Sequence, residues 1–145
     1  MEIWELSARE QIRDTIARYN FYGDRGQFDE MVEQFASDGV LELTDFDQRH
    51  EGRAALHAFF ARVATDFAAT ERPQGHLRHC VTNTTITVES PTAARSDSYF
   101  QVITDIGLDH WGRYRDRFVP IDDRWLLAHR SVRTDGWASD SRFRR

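Results

Sequence analysis

Apolar residues along this chain change from a spacing of three and four to a spacing of two at Gly75, and that switch restricts the possible folds more than any other feature. Before it, Ile12, Ile16, Tyr19 and Gly23 form one stripe at helical spacing, with Arg9, Arg13, Asp14 and Arg18 directed elsewhere. Ser7-Ala8-Arg9-Glu10 reads as a capping box that starts this helix, and Gly26 suits its C-terminal cap. Phe28, Met31, Val32 and Phe35 repeat the spacing in a short second helix. Asp38-Gly39 then reads as a turn into a strand at Val40–Leu43, and Thr44–Glu51 as a polar loop or hairpin tip with Phe46 its only large apolar group. Leu56, Phe59, Phe60, Val63 and Phe67 predict a third helix from Arg53 to near Ala68.

After the switch, long strands are expected at His76–Glu89, Ala93–Thr104, Trp111–Val119 and Arg124–Thr134, with turns at Ser90-Pro91 and Pro120–Asp123. Helices followed by a run of antiparallel strands specify an α+β architecture, three helices packed on one face of a curved sheet. With no linker, repeat or low-complexity segment, residues 1–145 are expected to form a single domain.

Composition removes several kinds of function. A net charge of −5 provides no electrostatic footprint for nucleic acid or an anionic membrane, so neither is an expected partner. The chain has no lysine, which excludes Schiff-base chemistry and a P-loop. The single cysteine, Cys80, cannot form an internal disulfide. No apolar stretch is long enough for a membrane span and Met1-Glu-Ile-Trp-Glu does not resemble a signal peptide, so a cytoplasmic location is expected.

Of the six histidines, His76 and His79 fall on opposite faces of their strand and no pair has helical ligand spacing, so no metal site is expected. Cys80 also points away from its neighbour His79, and the sequence lacks both a nucleophile elbow and a dinucleotide fingerprint. Acid–base chemistry by isolated side chains remains. Leu77, His79, Val81 and Asn83 share one strand face, so His79 and Asn83 line an apolar cavity if that face looks inward. Asp24, at the end of the first helix, is the candidate partner that would orient and charge the imidazole. By residue chemistry alone, the commoner places are a sheet edge or satisfied core position for such a histidine and solvent for such an aspartate. Tyr99, Tyr114 and Trp111 lie on strands, where packing is the usual role and donation to an oxyanion the rarer one.

The order of these elements and certain residues carry a resemblance. Ala8–Asp14, Tyr19–Asp29, Phe35–Val40, Gly52–Leu56, Arg78–Asn83, Gly112–Tyr114 and Asp123–Trp125 together resemble the SnoaL-like branch of the nuclear-transport-factor-2-like superfamily. The resemblance implies a cone of curved sheet closed by helices around a pocket. Within that branch the chain is most similar to scytalone dehydratase and hexachlorocyclohexane dehydrochlorinase, cofactor-free lyases that pair a helix Asp with a strand His. Asp24 and His79 fall on those positions, so the resemblance implies a lyase or isomerase acting without a cofactor on a small, mostly apolar cyclic compound. Tyr19 would be a hydrogen-bonding partner, and Tyr22, Phe46, Asn83, Tyr99, Trp111 and Tyr114 would line the pocket. The chain differs where the dehydrochlorinase has lysine in place of Tyr19, and where scytalone dehydratase has asparagine near Tyr114. Other members of the superfamily only bind ligands or serve as small subunits of ring-hydroxylating dioxygenases, which is the alternative. Assembly into homodimers or trimers is also a family-level expectation.

Overall fold

The computed structural model describes residues 1–69 and 77–143. Helix α1 (Ile3–Gly23) leads through a short helix α2 (Phe28–Val32) into strand β1 (Phe35–Leu43), which hairpins into β2 (Gln48–Glu51). Helix α3 (Arg53–Ala68) follows, and then β3 (Arg78–Ser90), β4 (Ala93–Thr104), β5 (Gly107–Ile121) and β6 (Arg124–Trp137). The six strands form one curved, mixed sheet in the order β2-β1-β6-β5-β4-β3, unclosed because β2 and β3 are its two edges. All neighbours pair antiparallel except β1 and β6, which run parallel.

The alternating strands of the second half determine which face is covered. Along β4, Ala94, Ser96, Ser98, Phe100, Val102 and Thr104 are buried while Arg95, Asp97, Tyr99 and Ile103 face out, as a half-covered antiparallel sheet requires. Ala8, Ile12, Ile16 and Tyr19 of α1 and Leu56 and Phe60 of α3 pack on the inward set in one apolar cluster. Polar ties fix the helices to it. Thr15 donates to the Trp125 carbonyl at 2.6 Å, Arg9 to the Ile86 carbonyl at 2.7 Å, and Arg53 to the Phe35 carbonyl through Nη2 at 2.7 Å.

Several local expectations need correction. Helix α1 begins at Ile3 rather than Ser7, with Glu2 extended before it, and Ser7 lies within the helix and accepts from Gln11 Nε2 at 3.2 Å. Nothing in Ile3–Leu6 breaks a helix, so the capping-box pattern falls inside one. Phe35 opens β1 instead of closing α2; it is fully buried and edge-on to Tyr19. Asp38-Gly39 is not a turn but part of β1, at an irregularity in its pairing with β6 between Phe35 and Val40. A Cβ at Gly39 would come within 2.8 Å of the Phe35 Cβ, so glycine is what the crowded bulge accepts. The expected start of β3 at His76 lies outside the described residues.

At Gly112 the constraint is close approach: a Cβ there would overlap the Arg133 carbonyl of β6 and come within 2.8 Å of the Phe100 ring. Gly112→Ala is expected to cost about 1–3 kcal/mol through overpacking, read as a lower urea midpoint at unchanged slope. A midpoint equal to the parent's would show that β5 and β6 can separate without penalty.

Candidate functional site

Asp24 is the residue that ends α1; its own N–H still donates to the Asn20 carbonyl at 2.8 Å, so its carboxylate stands at the negative end of the helix dipole. That placement is unfavourable alone, and β3 offsets it. As the outer strand of the sheet, β3 has backbone donors with no strand beyond them. The His79 N–H donates to Asp24 Oδ2 at 2.9 Å, and His79 Nδ1 lies 2.6 Å from Oδ1. Both carboxylate oxygens are therefore engaged by one residue.

An ionised carboxylate only accepts, so Nδ1 carries the proton and Nε2 has the free lone pair. The Asp24 side chain is 6% exposed and that of His79 25%, which leaves the orienting group shielded and the ring reachable.

A second pair lies close by. His110 Nδ1 is 2.8 Å from Asp109 Oδ1, and a charge on His79 disfavours one on His110. Burial holds the His110 pKa below the ordinary histidine value, against the upward pull of Asp109, so His110 is neutral near pH 7. Asp109 is fully buried, and its pKa is lowered: desolvation, its largest influence, is outweighed by bonds from the Arg142 N–H, Ser141 and His110. The strict alternation of a strand sends adjacent residues to opposite faces. Here Val102 pairs with His110 and Ile103 with Leu108, so Asp109 is the extra residue of a bulge, and it joins its neighbour.

Deeper in the core lies a third charged group absent from the sequence expectations. Arg130 donates to Asp116 through Nε at 2.8 Å and Nη2 at 2.7 Å, and neither side chain is exposed. The guanidinium carbon sits 4.3 Å from the ring centre of Tyr19 and 3.9 Å from that of Tyr114. Burial raises the Tyr19 pKa to about 12 despite Arg130, and that of Tyr114 rises further, so both phenols remain protonated. Tyr114 donates to Asn20 Oδ1 at 3.4 Å.

The remaining sequence candidates are scattered. Tyr22 is half-buried and accepts from Arg18 Nη1 at 3.2 Å. Phe46 sits at the exposed β1–β2 tip, edge-on to Trp137, whose indole in turn stacks on His110 at 4.7 Å. Asn83, Tyr99 and Trp111 are corrections, since all three point outward. In β3 the register shifts between Thr82 and Thr85 and Asn83 takes a positive φ of 54°, so the inward set passes from His79 and Val81 to Thr84, Ile86 and Val88. Asn83 and Tyr99 line a recess of about 580 Å³ on the outer face with Asp97, Arg113 and Arg115. Trp111 lies over Gly136, where a Cβ would strike its indole. Among the described residues no cluster of His, Cys, Asp or Glu could hold a metal ion, and no helix is long and apolar enough to cross a membrane.

The SnoaL-like domain model matches residues 4–131. No curated protein matches the chain. Among solved structures, a protein from Catenulispora acidiphila in complex with S-DNPA is 27% identical, with 88% of this chain and 92% of that one covered and a TM-score of 0.73. A candidate scytalone dehydratase from Novosphingobium aromaticivorans is 20% identical over 95% of this chain and 91% of that one, with a TM-score of 0.80. An NTF2-like protein with a cystatin-like fold from the same organism is 24% identical over 94% and 88%, with a TM-score of 0.78.

Proposed function

The chain belongs to the SnoaL-like domain family, and from that premise we propose that it is a cofactor-independent lyase or isomerase acting on a small, mostly apolar cyclic compound, with His79 as its base. The observation that carries this reading is the imidazole held at Nδ1 by a shielded carboxylate, with Nε2 left free. Such a ring can take a proton from a carbon made acidic by a neighbouring carbonyl or aromatic system. Asp24 then stabilises the imidazolium, which returns the proton either to a departing hydroxyl, giving water and an alkene, or to another carbon, giving an isomer.

His110, neutral and beside His79, is the second group able to exchange a proton, and charge on one ring opposes charge on the other. Tyr19 takes no part in the Asp24–His79 contact; its protonated phenol is packed with Arg130 and Tyr114, supporting the site from the core. The apolar character of the substrate follows from Phe100, Leu77 and Val81 on the same inner face as the two histidines. That a structural neighbour 27% identical to this chain was solved in complex with S-DNPA supports a small ligand here as well.

The test is solvent exchange. With 2-tetralone in D2O, the protein is expected to accelerate deuterium incorporation beside the carbonyl, followed by mass spectrometry, and His79→Ala to lose that acceleration. Equal exchange by parent and variant would remove the base. A protein that instead retains ligands unchanged, or that co-purifies with an iron-containing partner, would favour the carrier or oxygenase-subunit reading.

A further inference from the structure

The segment after β6 turns back over the sheet, and three of its bonds converge on Asp109. Ala138 N–H donates to the Asp109 carbonyl at 2.8 Å, Arg142 N–H to Asp109 Oδ2 at 2.9 Å, and Ser141 Oγ to Asp109 Oδ1 at 2.5 Å. Arg142 also donates to Asp105 at 2.9 Å and stacks over Phe67 of α3, its guanidinium carbon 4.7 Å from the ring centre. These bonds carry Phe143 to a particular place. Its ring stacks on Phe67 at 5.0 Å with only 12° between planes, and its centroid is 5.1 Å from that of His110.

Asp109 thus serves two elements with one carboxylate. Thr104 Oγ1 at 3.1 Å and His110 Nδ1 at 2.8 Å donate from the sheet, and Ser141 and Arg142 donate from the strap. A fully buried carboxylate is stable only when its oxygens are well supplied with donors. Lifting the strap would remove two of these four, so strap closure and the orientation of His110 are linked through the same atoms.

We propose that Asp109 is a positioning residue that locks His110 and the C-terminal strap together, making Phe143 the wall that sets the size of ring the site accepts. This rests on the reading of the His79 end as the ligand site. Phe143 bridges α3 and β5 beside His110, whose ring also stacks on Trp137 at 4.7 Å, so a ligand approaching His110 passes between these aromatic neighbours.

The experiment uses the full chain and two probes, phenol and 2-naphthol, with affinities measured calorimetrically, together with amide exchange of residues 138–143. Phe143→Ala is expected to shift the 2-naphthol-to-phenol affinity ratio by about three- to tenfold, the scale of one aromatic contact, and Phe143→Leu to recover part of it. Ser141→Ala, which removes one donor to Asp109 and the acceptor of the Phe143 N–H, is expected to speed exchange of the strap amides while those of β4 and β5 stay as in the parent. Asp109→Asn should do both and also move the His110 proton from Nδ1 to Nε2, read from the ring nitrogen shifts. An unchanged affinity ratio in Phe143→Ala, or unchanged strap exchange in both Ser141→Ala and a folded Asp109→Asn, would overturn the proposal. None of these readouts involves turnover, so they stand apart from the deuterium test of His79.

Discussion

Asp116→Ala is expected to destabilise the protein by about 3–5 kcal/mol, because it leaves the Arg130 guanidinium charged, fully buried and without its bidentate acceptor. At this chain length that corresponds to a fall in Tm of roughly 10–15 °C. Two parts of this cost are separable. The pair was desolvated on both sides, so its attraction already offsets a large penalty, and removing both charges should be far cheaper than removing one. Asp116→Leu combined with Arg130→Met is therefore expected to recover most of the loss, although Ser96 loses its acceptor and the two tyrosines lose the cation between them. A thermal melt of Asp116→Ala within about 1 kcal/mol of the parent would mean that the guanidinium finds another acceptor or water.

The second large effect concerns Asp24→Asn, which preserves size and still offers one oxygen. That oxygen can serve the His79 N–H, as Oδ2 does now, but an amide NH2 then faces Nδ1. A donor opposite Nδ1 makes that nitrogen an acceptor and moves the ring proton to Nε2, where the lone pair is needed. The expected result is an activity loss of about 10²–10⁴, the usual contribution of a positioned base, with unfolding behaviour close to the parent's. Imidazole nitrogen shifts report the tautomer directly, so the variant is informative before a natural substrate is in hand. Retention of the Nδ1–H form together with full activity would show that Asp24 is only a helix-end contact.

How far the sequence reveals this site depends on whether local periodicity survives. Ile12, Ile16 and Tyr19 keep the helical spacing and all are buried against the sheet, and the alternation through β4 sends Tyr99 outward with Ile103, against its expected place in the pocket. These are regular stretches, where side-chain direction follows from counting. Asn83 escapes counting because its positive φ belongs to a bulge that residue identity alone does not announce. The same limitation hides Asp109 and His110, adjacent residues that a regular strand would separate. Arg130 is harder still. An arginine on a strand ordinarily faces water, as Arg113 and Arg115 do beside Asp135 and Asp97, and only the register of β6 against β5 reveals that Asp116 waits opposite it. The Asp24–His79 contact joins residues far apart in the chain, and no local pattern encodes the distance between them.

The parallel pairing of β1 with β6 also sets an order of events during synthesis. Val40 and Leu41 leave the ribosome early, yet their hydrogen-bonding neighbours His129 and Arg130 are added only after the other strands, and elongation over that interval takes roughly 5–20 s. Throughout that time the edge of β1 that β6 will pair stays open, while β3, β4 and β5 can already associate as a meander. The last long strand to be translated is thus the central joint of the sheet, and nascent chains stalled before it should be the ones that chaperones hold.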